Sequence, residues 1–338
     1  MNRRRWLASA SGVALLGAGA GCSHSPDLPD DIRPTRDPAL WPFASDSPWN
    51  TPLGDGARYA AIRSPGFDPT AGARINTRQW SHPVFIAEAD DPTVALHLLG
   101  QSRPVRVQRV PPRARPDPMA DGSLLLIDVP RRSVVELWRA ERVGPDRIVA
   151  EAIAVNALTG PGMGSTWQGI RASGGSALGG LIRQGELEHG LGHVLALAVP
   201  PQALNRLGPQ GRAWVWPAAS ADDGDGRRYG TVGNLHLGSL LALPPDLAVD
   251  TLGLEAGPET VLARALQDFG ACVTDTVRVG GPVAFQAEPA VHDSAARIRP
   301  EALRTLVERL QVVVNHAPGR AGGGGRRRAP PAPAFRER

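Results

Sequence analysis

A chain of 338 residues with no lysine carries a formal charge of +4, and that charge sits at its ends: +3 in the first 21 residues and +5 after residue 316, leaving −4 for the body. A body of that sign lacks the clustered cations a phosphate backbone needs, which excludes nucleic acid as a partner. The absence of lysine removes Schiff-base, phosphate-loop and serine–lysine chemistry, and one cysteine beyond Cys22 permits no internal disulfide.

Residues 1–21 read as an export signal: Arg3, Arg4 and Arg5, an apolar stretch over 6–16, then a run of Gly and Ala up to Cys22. The stretch is too short to span a bilayer. Arg3 to Leu7 resembles a twin-arginine signal, and Cys22 at the cleavage point resembles the bacterial lipobox. The expectation is an acylated Cys22 and an exported protein lipid-anchored to the cell envelope, facing the periplasm or exterior. Residues 22–40 are rich in Pro and Asp, as suits a flexible spacer.

The body, 41–316, is expected to be all-β. Short apolar or alternating runs occur at 83–86, 104–110, 123–129, 133–138, 147–155, 193–199, 212–216 and 235–243, with Gly, Pro and Asp between them. That spacing predicts mainly antiparallel strands in a jelly-roll-like β-sandwich. Two peripheral helices are expected. In the first, Val261, Leu262, Ala265, Leu266 and Phe269 form a stripe between Pro258 and Gly270; the second runs from Pro300 to about Val313. A short turn is expected at 185–188. Cys272, between Ala271 and Val273, reads as a buried small hydrophobe. Residues 317–338, rich in Gly, Arg and Pro, read as a disordered basic tail.

Three stretches carry the chemistry. In the strand over 133–138, alternation places Val134, Glu136 and Trp138 on one face, a carboxylate beside an indole, as a sugar site requires. Trp214 and Trp216 repeat the indole motif on a second strand, and eight Trp stand against two Tyr in the whole chain. The run 179–193 is the densest in functional groups, with Arg183, Glu186, His189 and His193. Two glycines break any helix on which the histidines could share a metal, so no metal or other cofactor is expected. Arg227, Arg228 and Tyr229, with Asn234 and His236, form the residue set for β-elimination on a uronic acid.

Ser47-Pro48-Trp49-Asn50, Glu136-Leu137-Trp138, the run from Gly179 through Glu186-Leu187 to His193, Trp214-Val215-Trp216-Pro217-Ala218 and Ala263 to Gly270 together resemble a family of secreted bacterial β-rich proteins. The likeness covers most of the body in the same order. It implies an architecture and candidate positions, and no reaction.

The combined expectation is an exported lipoprotein acting on extracellular polysaccharide as a glycoside hydrolase or polysaccharide lyase. Glu136, Glu186 and His193 are the candidate acid/base groups; Trp138, Arg183, Trp214 and Asn156 are the candidate substrate-positioning groups. The alternative is a non-catalytic surface lipoprotein that binds a glycan or a partner protein. Both require separate stretches to bring acid, imidazole and indole together on one accessible surface.

Overall fold

The computed structural model describes residues 35–164 and 169–336. The expected signal, Cys22 and the spacer up to residue 34 lie outside the described residues. In chain order come β1 (Thr35–Arg36), β2 (Tyr59–Ala61), β3 (Ala73–Asn76), β4 (Val84–Ile86), β5 (Thr93–Leu98) and β6 (Arg106–Arg109). Next are β7 (Leu124–Asp128), β8 (Ser133–Trp138), β9 (Glu141–Gly144), β10 (Arg147–Ala150), β11 (Ala152–Ala157), α1 (Glu186–His189) and β12 (Leu195–Val199). The rest are β13 (Leu240–Ala242), α2 (Pro258–Asp268), β14 (Ala271–Thr276), β15 (Val283–Gln286), α3 (His292–Ala295), α4 (Pro300–Glu308), β16 (Gln311–Val313) and β17 (Ala334–Phe335).

These strands make three sheets and one small parallel pair, β1 with β17. The outer sheet is ordered β6-β5-β10-β9, the central sheet β11-β8-β7-β4, and the large sheet β2-β16-β13-β14-β12-β15-β3. The fold is β-rich and mostly antiparallel, as expected, but each sheet contains at least one parallel pairing: β5 with β10, β4 with β7, and β12 with β14.

Side-chain alternation sets the layers. Every residue of β7 is buried, and a strand can satisfy that only if both its faces are covered. Leu124 and Leu126 of β7, with Val135 and Leu137 of β8, meet Val94, Leu96 and Ile148 of the outer sheet. Leu125, Ile127 and Val134 point the other way, against Ala196, Leu240, Ala242 and Cys272 of the large sheet. The opposite face of the large sheet, through Leu195, Leu197, Val273 and Phe285, receives Leu262 and Leu266 of α2 and Leu306 and Val307 of α4. Helices, large sheet, central sheet and outer sheet therefore stack as four layers with three apolar interfaces. Cys272 is buried in the middle one, as the sequence suggests, and burial pushes its thiol up to about 12.

Four expectations need correction. The helix begun at Pro300 ends at Glu308, because Gln311, Val312 and Val313 continue as β16 and pair with β13 and β2. The run 147–155 is two strands: β10 belongs to the outer sheet and β11 to the central one, with Glu151 at the crossing. The spacer gives way to ordered chain at Thr35, where β1 begins, and Ala39 is buried in the middle layer.

The basic tail is laced to the body. Arg328 N–H donates to the Leu53 carbonyl at 2.9 Å, and β17 pairs with β1. Composition misses this because the glycines there serve close approach. A Cβ on Gly322 would fall 2.5 Å from the Pro52 oxygen, and one on Gly323 2.5 Å from Ala57 Cα, both at positive φ.

The layering makes a direct prediction. Leu126→Ala, which opens a void between the central and outer sheets, lowers unfolding free energy by about 2–5 kcal/mol in denaturant titration. Val155→Ala, at a position 47 % exposed on β11, changes it by about 0.5 kcal/mol or less.

Candidate functional site

Glu136 is expected to face a substrate; instead it is fully buried in the middle layer. Its Oε2 accepts from Ala177 N–H at 2.8 Å and Ile170 N–H at 3.4 Å, and its Oε1 accepts from Asn156 Nδ2 at 3.0 Å and from the Ser176 hydroxyl. Burial raises its pKa, against the pull of these donors and of the Arg171 cation. Sequence reasoning is corrected here: Glu136 holds the 169–177 segment in place, Asn156 on the neighbouring strand serves Glu136, and no carboxylate edge remains for a sugar.

The segment that Glu136 holds bridges to the large sheet. Ser173 N–H donates to the Thr274 carbonyl at 3.0 Å. Arg171, 2 % exposed, donates through Nη1 to Thr274 Oγ1 at 3.0 Å and through Nη2 to the Ala177 carbonyl at 2.7 Å. Burial pulls its pKa down to about 10.

At the same place β14 breaks register. Leu197 opposes Val273, but Ala198 opposes Asp275, so Thr274 is the extra residue of a β-bulge. Without the bulge Asp275 would follow Ala271 and Val273 toward the helices. With it, Asp275 shares the side of Ala196 and Cys272, facing the central sheet.

Two further carboxylates reach this spot. Asp222 Oδ2 accepts from the Tyr229 hydroxyl at 2.9 Å and Thr276 Oγ1 at 3.0 Å, and its Oδ1 lies 3.3 Å from Arg228 Nη2. Asp121 accepts from Trp138 Nε1 at 3.3 Å, and its pKa is raised by burial and by Asp117 and Asp222. Asp275 is raised to about 7, by burial first and then by the neighbouring Asp222 charge. Asp121, Asp222, Asp275 and Trp138 are each partly exposed. Asp275, raised toward neutrality, thus neighbours two other carboxyls, one of which, Asp121, is bonded to the Trp138 indole.

The other expected residues assemble elsewhere. His193 Nε2 lies 3.2 Å from both Glu186 oxygens, while its Nδ1 lies 2.9 Å from the Val194 carbonyl oxygen. Burial opposes the charged ring, but the Glu186 charge and hydrogen bond outweigh it and raise the His193 pKa. Arg183 is held by Glu288, Nε to Oε2 at 3.0 Å. Together with Trp41, Trp49 and Asn50 these groups line a cavity of about 10 Å³, room for about one water and too small for a sugar ring. No hydrogen bond or ion pair joins Glu136 to this cluster among the described residues.

Trp214 bridges to Leu237, lies 5.9 Å from the Arg212 guanidinium and packs against the apolar clusters on both sides of the large sheet. Of the elimination set, Tyr229 is 5 % exposed and bonded to Asp222, and His236 faces the Asn205 carbonyl with its pKa lowered by burial. Sequence reasoning singled out Trp138 but missed the carboxyls near it. Asp275 carried no signal, since only the bulge turns it. Asp222 lies in an acidic loop, Asp222-Asp223-Gly224-Asp225, too short to read as a calcium site.

No protein-family model, curated protein or solved structure matches this chain.

Two outcomes follow from the buried groups. Glu136→Ala removes the fully buried acceptor on which the Ala177 and Ile170 N–H groups, the Ser176 hydroxyl and the Asn156 amide converge, and lowers unfolding free energy by about 3–5 kcal/mol in denaturant titration. Because the folded pKa of His193 is raised, its pair with Glu186 stabilises fully below the ordinary imidazole value of about 6.5, and that contribution fades as pH rises through the folded pKa. Urea unfolding across pH should show the gap between the parent and His193→Gln widest below about pH 6.5.

Proposed function

We propose that the protein is an exported, lipid-anchored glycoside hydrolase acting on extracellular polysaccharide. Asp275 serves as general acid, Asp222 as the partner carboxylate, and Trp138 lies against the substrate. Support comes chiefly from one observation: Asp275 is pushed to about 7 with a second carboxyl, Asp222, as its neighbour, the latter accepting from Tyr229 and Thr276. A pair of carboxyls is what hydrolysis of a glycosidic bond requires, one to protonate the leaving oxygen and one to activate water or attack the sugar.

Hydrolysis is favoured over lyase chemistry by the state of the arginines. Elimination needs a cation to neutralise the uronate carboxylate. Arg171 is engaged by Thr274 and backbone carbonyls, Arg228 by Asp222 and Asp223, and Arg139 by Glu151 while it stacks 4.3 Å over Trp138. Carboxylates beside engaged arginines favour neutral or amino sugars over polyuronates. Export and anchoring rest on residues 1–22, and a two-layer sandwich of the central and large sheets rests on the apolar interface between them.

The test is a panel of neutral, amino and uronate polysaccharides, following reducing ends and the absorbance of unsaturated product. Cleavage without unsaturated product is expected. Activity should fall as pH rises through about 7, because Asp275 must carry its proton. Asp275→Asn should lose about 100-fold or more in kcat. Glycan binding that persists with no cleavage by the parent protein would favour the binding-only alternative.

A further inference from the structure

The chain enters its folded body beside its own C-terminus. Thirteen positions separate Cys22 from Thr35, a reach of about 45 Å at most. At Thr35 the chain becomes β1, and β17 lies parallel to it, with Thr35 opposite Ala334 and Arg36 opposite Phe335. Arg36, 5 % exposed, locks the pair: it donates to the Pro333 carbonyl at 2.6 Å and to the carbonyls of Trp41, Pro42 and Phe43, and its guanidinium lies 3.9 Å over the Phe335 ring.

The same C-terminal segment displays arginines on a fixed backbone. Arg326 N–H donates to Asp55 Oδ1 at 2.9 Å, Gly54 and Arg327 form an antiparallel bridge, and Arg327 Nη1 donates to the Ala321 carbonyl at 2.7 Å. Arg58 joins them from the facing strand, with its N–H on Asn315 Oδ1 at 2.9 Å. Arg58, Arg320, Arg326, Arg327 and Arg336 are all exposed. Among the described residues, Asp55 and Asp268 contact this surface, and Arg328 answers Asp268 at 4.0 Å, so its described residues carry more arginines than acids on a body whose charge is otherwise negative. Val314, 53 % exposed, adjoins Arg58 and adds an apolar contact.

We propose that this arginine face docks on anionic phospholipid headgroups, as a second membrane contact beside the acyl chain. An acyl chain limits distance but not orientation. Clustered cations at the anchor end supply orientation through the negative surface potential of the leaflet. Arginine suits the task, since its planar fork pairs with phosphate oxygens in two-point contacts. The proposal rests on the anchored, exported reading, and its test is kept separate from acylation.

Residues 22–338 carrying Cys22→Ser, which contain the compact unit that begins at Thr35, are sedimented with two kinds of vesicle. One is phosphatidylcholine alone, the other phosphatidylcholine mixed with phosphatidylglycerol. Binding several-fold stronger to the anionic vesicles, reversed by about 0.5 M salt, is expected. The triple variant Arg320→Glu, Arg326→Glu, Arg327→Glu should lose at least about fivefold in bound fraction with an unchanged melting temperature, whereas Arg109→Glu with Arg147→Glu on the outer sheet binds like the parent. Equal binding to both vesicles, or a triple variant that binds as well as the parent, overturns the proposal. Palmitate labelling of the full chain in cells reports separately on Cys22: an unlabelled protein whose vesicle binding survives would refute the anchor and leave the arginine face standing.

Discussion

The arrangement around the candidate site depends on one buried carboxyl group. Glu136 sits fully enclosed on β8 and is affordable there only because donors surround it: the Ser176 hydroxyl, the Asn156 amide and two backbone N–H groups. All of them except the Asn156 amide, which β11 supplies, come from a segment with no regular structure of its own. Once pinned to the central sheet by Glu136, that segment reaches the large sheet through Ser173 and Arg171, both of which bond to Thr274. A carboxylate in the core thus acts as the joint between two layers whose other contacts are apolar.

Thr274 is also the extra residue of the bulge in β14. The joint and the chemistry therefore share an address: the residue that receives Arg171 is the one whose insertion turns Asp275 toward the central sheet. Asp275 then titrates in a setting made by others, raised by burial and by Asp222 and moderated by Arg171. Cations near this cluster already have partners, which leaves the site acidic in character.

Local features of this protein were legible in advance. The strand Ser133–Trp138 matches its sequence pattern at both ends, and the alternation that placed Glu136 and Trp138 together on one face holds. The helix Pro258–Asp268 obeys its proline start, its apolar stripe and its glycine stop. The meeting of Glu186 with His193 falls within one short stretch of chain, so proximity in sequence sufficed to suggest it. What failed were inferences that treated composition as conformation. A Gly- and Arg-rich end looked unable to bury anything, yet its glycines are what let the backbone pass against Pro52 and Ala57. An apolar run over 147–155 looked like one strand, yet it serves two sheets.

By itself the sequence determined the local periodicities: which residues alternate, where helices start, that the body is β-rich, and that its charge is carried at the ends. Tertiary structure alone decided which faces those alternations address, because a strand's two sides are equivalent until another layer covers them. It decided that Glu136 is a joint and not a surface acid, since burial is a property of the neighbours. It decided that Asp121, Asp222 and Asp275, distant along the chain, share one environment. That meeting depends on a single-residue register slip in β14, and hydrogen bonding between strands sets a slip of that kind where no residue pattern announces it.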